Sequence, residues 1–585
     1  MSNNQKYLVT TAIEQTWKYE EPILFLGEWC KIYSKKDNWS KLDFTVLDHH
    51  WNDIEKFHYD YKYLSVFYEK VLFDLSIKLN EIHCVDHNLR YWRILIGPWL
   101  AYIIQITFDR WATIQDAIKF FDISGSKILI QNDDELIPKN MVHLRKLMGS
   151  DEWNHYIYAL ILKKLNNVSL TSIPYISTTY DFQKENDNNT FDKLVNIYSS
   201  LSKHLIKKND AFIIQSYLSF YNNIVLQIKI GQVPQLWSNF SPIESVILNH
   251  MRQWSLPQNY LNPFEEFLIN LIPKQIPPLY LEGYTKIIDQ ANSLRFPENP
   301  KFIFTSTSLW FDDVIKEYVA QKVEQGAPLF YGQHGGTYGQ AFFLWAEEHE
   351  RKIADKYLTW GWEEKNIIDE AVTIPVGVLR KIKKRHFSQN NANDIMLVLA
   401  TDRRYYTHLC SLFLYQYKKN LYKSLEFLTE LRGTDIYKNL LVRMYHTDYG
   451  WEEKQRLKDL HPNIRIDDAT KSIWKLVENT RLVVYSYNST GYLEFMAANI
   501  PTIIFWDPTI NPIRNSAIKY FDDLKKVGIF HESPESAAQH VIMNYNDIDK
   551  WWNNHELKKV LDQFLKKYCY SSDNLLTNLK NNFNI

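Results

Sequence analysis

Residues Leu482–Pro508 read LVVYSYNSTGYLEFMAANIPTIIFWDP, and their order decides the fold. The apolar run Leu482–Ser486 passes straight into Asn488-Ser489-Thr490-Gly491. A helix-like segment, Tyr492–Ala498, follows, and Thr502–Trp506 is a second apolar run. Strand, cap, helix, strand is the repeating unit of a parallel sheet with helices on its faces. Small hydroxyl residues and a glycine at a helix start leave backbone N–H groups and a positive dipole end facing an anion. Glu494, one turn on, is within reach of a ribose or sugar hydroxyl. The plainer alternative is that Ser489 or Thr490 caps the helix and Glu494 completes the cap. Asn488, Ser489, Thr490, Gly491 and Glu494 are the candidate nucleotide-phosphate residues.

Working outward, similar β-rich runs recur at Tyr7–Thr11, Ile23–Leu26, Lys127–Gln131, Ala211–Gln215, Lys301–Thr305, Pro328–Tyr331, Lys356–Thr359, Ile395–Ala400 and Leu441–Met444. Alternation with helical stretches predicts an α/β protein of two Rossmann-like lobes facing a cleft. The first lobe is expected over residues 1–372, with a helical insertion at about 50–125 that includes Tyr61–Leu79. The second is expected over 373–546, because Val376-Gly377 and the polar Ser388–Asn393 precede a fresh strand. The tail, 547–585, reads as helical and able to cross back. Ligands of such sheets bind beyond the carboxyl ends of the strands.

The 67 basic and 68 acidic side chains among 585 residues nearly cancel, which excludes a chain-wide attraction to nucleic acid. Four cysteines, Cys30, Cys84, Cys410 and Cys569, without close spacing are neither a disulfide framework nor a zinc ribbon, and fit a reducing cytoplasm. The most apolar stretch, Ile94–Phe108, is shorter than the ~20 residues of a membrane span. It reads as a buried helix, with an interfacial membrane element as the alternative. Aromatic residues reach 15%, whereas Gly and Pro number only 17 and 20, so the units should pack closely with few flexible linkers.

In a chain so short of glycine, Tyr331–Gln340 (YGQHGGTYGQ) holds four of the 17. Such a loop turns sharply and lets a ligand approach the backbone. Gln333, His334, Gly335 and Gly336 are therefore candidate substrate contacts, and His334 a candidate catalytic residue. The loop is neither GxGxxG nor a Walker loop. Arg443 and His446, in LVRMYHTDYGW, could meet the same phosphates; a partly buried structural histidine is the alternative for His446. Asp402-Arg403-Arg404 is a further polar strand end, or a solvated turn. After the first strand, Thr11 could touch an acceptor. Glu14 is a candidate general base, or a carboxylate at a helix start. His83 and His87 have metal-ligand spacing but no partner cluster. No metal and no cofactor are expected.

YLVTTAIEQTW, RYWRILIGPWL, FDRW, FYGQHGGTYGQ, MYHTDYGW, STGYLEFMAANIPTIIFWDP, GIFHESPESAA and DIDKWW together resemble the transferases of bacterial O-antigen and surface-polysaccharide loci. More distantly, the Gln-His-Gly turn and the strand before S-T-G-x-x-x-E are similar to GT-B glycosyltransferases, particularly capsule-type enzymes moving Kdo or sialic-acid-like sugars from CMP donors. The resemblance implies a GT-B-like, metal-independent glycosyltransferase with a nucleotide-sugar donor and a glycan or lipid-linked acceptor. It implies a cytoplasmic protein, with peripheral association with the inner membrane as a further option. By it, Ser489, Thr490 and Glu494 would hold nucleotide, Arg443 or His446 would assist, and Gln333 and His334 would face the sugar. The His-Pro pair usual in such enzymes is absent, and His446-Thr447 stands near its place, which leaves UDP, GDP and dTDP sugars open. A polyol-phosphate transferase of the teichoic-acid type and a non-catalytic sugar-binding subunit are the alternatives.

Overall fold

The computed structural model describes residues 5–176, 198, 202–237, 252–257, 259, 262–364, 370–380, 382–384, 392–410 and 417–583. Part of the Ser388–Asn393 stretch lies outside them. Among the described residues sixteen named strands form three sheets, and every pairing between them is parallel. The chain is thus α/β with Rossmann-like sheets, three of them where the sequence suggests two lobes.

The first sheet contains β1 (Lys6–Val9), β2 (Ile23–Phe25), β3 (Phe44–Val46), β4 (Ile123–Ile130) and β5 (Leu170–Pro174), ordered β3-β2-β1-β4-β5. The second contains β6 (Phe212–Ile213), β7 (Ile303–Thr305), β8 (Leu329–Gly332), β9 (Lys356–Thr359) and β10 (Val372–Pro375), in consecutive order. The third contains β11 (Asp394–Val398), β12 (Leu440–Arg443), β13 (Arg465–Asp467), β14 (Thr480–Tyr485), β15 (Thr502–Phe505) and β16 (Phe530–His531), ordered β13-β12-β11-β14-β15-β16. This is the 3-2-1-4-5-6 order of a doubly wound nucleotide-binding sheet, with its switch point between β11 and β14. Central strands such as β2, β8 and β15 are buried throughout, which is why they read as unbroken apolar runs.

Between β3 and β4 stand two long helices, Ile54–His83 and Leu89–Phe120. Asp53 caps the first through the backbone N–H of Glu55 and Lys56. Asn88 caps the second through that of Tyr91 (2.9 Å). The second runs through the middle of the molecule: from Tyr91 to Ile114 every side chain except Tyr102 is buried. The apolar stretch Ile94–Phe108 is thus a protein-buried helix. Among the described residues no helix is long and apolar enough to cross a membrane.

The three units are tied together by polar contacts. Arg404 of the third pairs with Asp151 of the first (2.5 Å), and Lys418 with Glu28 (2.5 Å). Antiparallel bridges Ala341–Ile513 and Leu344–Cys410 join the second unit to the third. After the third sheet, the helix His555–Tyr568 packs Phe564 on Phe521. Tyr570 then exchanges backbone hydrogen bonds with Trp360 and Val378. Phe583, beyond the last helix Leu575–Asn582, stacks on Phe302 (4.3 Å) and meets Phe330 edge-on (4.8 Å), so the tail reaches the second unit.

Candidate active site

The chain leaves β14 and starts the helix Thr490–Ala497 beside the switch point of the third sheet. Ser489, the N-cap residue, is extended and makes no side-chain bond to the helix, so the hydroxyl is not used as a cap. Thr490 Oγ1 instead accepts the backbone N–H of Gly336 (2.9 Å), from the glycine-rich loop of the second unit. The Tyr492 hydroxyl lies between Gln340 Oε1 (2.5 Å) and Asn488 Oδ1 (3.1 Å), and Gln340 Nε2 donates to the Gly336 carbonyl (2.7 Å). A Cβ on Gly336 would lie 2.8 Å from Ser489 O, Thr490 Cα and Leu493 Cδ1, and one on Gly491 would run into the Tyr485 hydroxyl. Glycine at 336 is what lets the two units touch, and glycine at 491 lets the helix start pack on β14 of its own unit.

The same loop carries His334. Its Nε2 lies 3.1 Å from the Tyr338 hydroxyl, which donates to Glu350 Oε1 (3.1 Å). Glu350 is fully buried and also accepts from Trp310 Nε1 (2.9 Å) and the Tyr357 hydroxyl (2.9 Å). Burial pushes the Glu350 carboxyl well above its ordinary range, opposed by these three donors. Burial lowers the imidazole of His334 to about 4, so at neutral pH it is uncharged and able to accept a proton. Gln333 has no accessible surface. Its Oε1 accepts from Trp360 N and Trp362 Nε1 (both 2.8 Å), and its Nε2 donates to the Gly335 carbonyl (2.7 Å). Its amide therefore shapes the loop.

Glu494 faces the second unit. Burial raises its carboxyl, partly offset by Arg380, and Tyr217 shares its surroundings. Tyr217 is held at φ +62°, a left-handed conformation that is strained for a side chain of this size. The structure thus gathers Gln333, His334, Gly335, Gly336, Asn488, Ser489, Thr490, Gly491 and Glu494 at one junction. Arg443, ion-paired with Asp467 of the neighbouring strand, acts with Glu494 on the phenol of Tyr485, and His446 is exposed with its ring 4.2 Å from that of Tyr445. Thr11 is fully buried in the first unit, and Glu14 pairs with Lys35 (2.9 Å). His83 meets the Tyr280 carbonyl (3.1 Å) while His87 meets Glu324 (2.5 Å), so the two rings serve different partners.

Asp402, Arg403 and His408 follow β11 at the switch point, each half-buried. Burial raises Asp402 to about 6 and lowers His408 to about 4. Tyr102, the residue of Tyr91–Ile114 that is not buried, has its ring 6.1 Å from His408 and 6.4 Å from Phe311. Only the post-strand position of Asp402-Arg403 signalled this in sequence. Among the described residues, His49, His50 and Asp109 have ligand atoms within 4.8 Å of one another. Asp109 already receives His49 Nε2 (2.9 Å), His50 Nε2 (3.1 Å) and the Arg110 guanidinium, which satisfies the carboxylate without an ion.

A family model described as LIC12162 family transferase matches residues 6–583. No curated protein matches the chain. Among solved structures, the chain is similar to the wall teichoic acid polymerase TagF at 10% identity, covering 68% of this chain and 98% of that one, with a TM-score of 0.35. MurG of Acinetobacter baumannii gives 10% identity, 67% and 95% coverage and a TM-score of 0.33. TarM gives 14% identity and a TM-score of 0.31, over 45% of this chain and about half, 51%, of TarM.

Proposed function

Since the chain belongs to the LIC12162 family of transferases, we propose that it is a glycosyltransferase that moves a sugar from a nucleotide-sugar donor to a bacterial surface-glycan or lipid-linked acceptor. The observation that carries this is the junction of the glycine-rich loop with the helix start at Thr490, beside the switch point of a doubly wound sheet. Donor phosphate sits at that helix start, where backbone N–H groups and the dipole balance its charge. Glu494 takes a ribose hydroxyl. An acceptor hydroxyl attacks the anomeric carbon and the bond from that carbon to the phosphate oxygen breaks. The hydroxyl proton passes to neutral His334, which Tyr338 and Glu350 hold in place.

The resemblance to CMP-dependent enzymes puts CMP first among nucleotides to test. Ligands that bind the native state raise its melting temperature. Thermal shift with CMP, CDP, UDP, GDP and dTDP should therefore single out the donor nucleotide. A preference for CDP-glycerol over every sugar nucleotide would turn the assignment to polyol-phosphate transfer, and no response to any of them would remove its basis.

A further inference from the structure

Arg145 and Arg403 differ from most arginines of the chain. Arg93, Arg351, Arg404, Arg443 and Arg514 each hold a carboxylate. Arg145 and Arg403 make no ion pair and no side-chain hydrogen bond among the described residues. Instead they lie against aromatic rings, Arg145 over Phe311 at 5.2 Å and Arg403 over Tyr449 at 5.4 Å. They come from different units but meet at one place. Arg145 is in the last turn of the helix Met141–Leu147 of the first unit. Gly149, just past that helix, leaves room for Arg403, whose Cδ would be 3.3 Å from a Cβ there. Both guanidinium groups act electrostatically on the phenols of Tyr102 and Tyr445. Asp402 stands beside them, its Oδ1 engaged by the Arg403 backbone N–H (2.7 Å) and burial favouring its neutral form.

Two like charges thus converge from separate units, Arg145 exposed and Arg403 half-buried, with Asp402 as the nearby carboxyl but no salt bridge to either among the described residues, which leaves both guanidinium forks available to an anion. The rings add flat apolar surface suited to a sugar beside that anion. We propose that Arg145 and Arg403 form a clamp for a phosphate group of a substrate, which makes the first unit a wall of the active site. The clamp rests on the glycosyltransferase reading proposed above, but does not require Thr490 to hold nucleotide. The phosphate group could belong to the donor or to a phosphate-bearing acceptor.

Calorimetric titration of the full chain with inorganic pyrophosphate, without and with a saturating nucleoside diphosphate, tests this. Arg145→Gln and Arg403→Gln should each weaken pyrophosphate about tenfold or more, the scale of one charge-assisted bidentate contact, at an unchanged melting temperature. If pyrophosphate still binds beside saturating nucleotide, the group belongs to the acceptor. If nucleotide displaces it and both variants also weaken nucleotide, it belongs to the donor. Pyrophosphate that fails to bind wild type, or binds wild type and both variants alike, overturns the clamp. Arginine-dependent pyrophosphate binding with no nucleotide binding would instead retain the clamp and sink the donor site.

Discussion

Gly336→Ala should separate the second unit from the third. The new Cβ would stand 2.8 Å from Ser489 O and Thr490 Cα, both backbone atoms, and 2.8 Å from Leu493 Cδ1. Backbone cannot swing aside as a side chain tip can, so the loop must retreat by more than half an ångström. That retreat breaks the Gly336–Thr490 hydrogen bond of 2.9 Å. The lost bond is worth about 0.5–1.5 kcal/mol and overpacking costs about 1–3 kcal/mol, together about 1.5–4.5 kcal/mol. For a unit of ordinary domain size this lowers the melting temperature by about 3–18 °C. Gly335→Ala is the internal control: its Cβ meets only the Tyr338 ring among close neighbours, at 3.1 and 3.3 Å, and that ring can tilt. Differential scanning calorimetry and nucleotide titration on both variants read the outcome. A Gly336→Ala protein that melts and binds nucleotide like wild type would refute the close-approach reasoning.

Three further outcomes are expected. Asp402 rises from 3.8 to about 6 on folding, so the native state keeps its proton longer than the unfolded chain and stability falls as pH climbs from about 4 through 6. At 1.36 kcal/mol per unit this approaches about 3 kcal/mol. Asp402→Asn should match wild type below pH 4 and exceed it above pH 6 in melting-temperature profiles, and a pH-independent difference would contradict the assignment. His334→Gln should lower turnover about 100-fold or more with nucleotide affinity kept, as single-turnover kinetics and calorimetry would show. Phe583→Ala should cost about 3–5 kcal/mol by emptying the ring cluster on Phe302 and Phe330. Unchanged urea denaturation would mean that the tail adds nothing to the second unit.

The sequence made the third unit legible because each cue in Leu482–Pro508 is local: buried strand, polar turn, helix, buried strand. The glycine-rich loop was legible for the same reason, set off by scarce glycine elsewhere. Five strands were not: β3, β5, β10, β13 and β16 all lie at sheet edges. An edge strand packs one neighbour and keeps exposure, so LTSIP and RID carry little apolar signal. Partition of the first 372 residues into two sheets was hidden too, because a strand's composition does not say which sheet it will join. The register that sets Arg443 opposite Asp467 is a long-range pairing that no local run of residues shows. Tyr102, Arg145 and Arg403 converge from three distant segments, and no spacing in the chain announces that meeting.

Glycosyl transfer by this chain requires nucleotide binding at the helix start after β14. Isothermal titration of wild type, Thr490→Val and Glu494→Gln with CMP, CDP, UDP, GDP and dTDP measures it directly. Binding of at least one nucleotide to wild type, weakened about tenfold in both variants with the fold retained, is the predicted result. Failure of all five to bind wild type, or equal affinity in all three proteins, would contradict it.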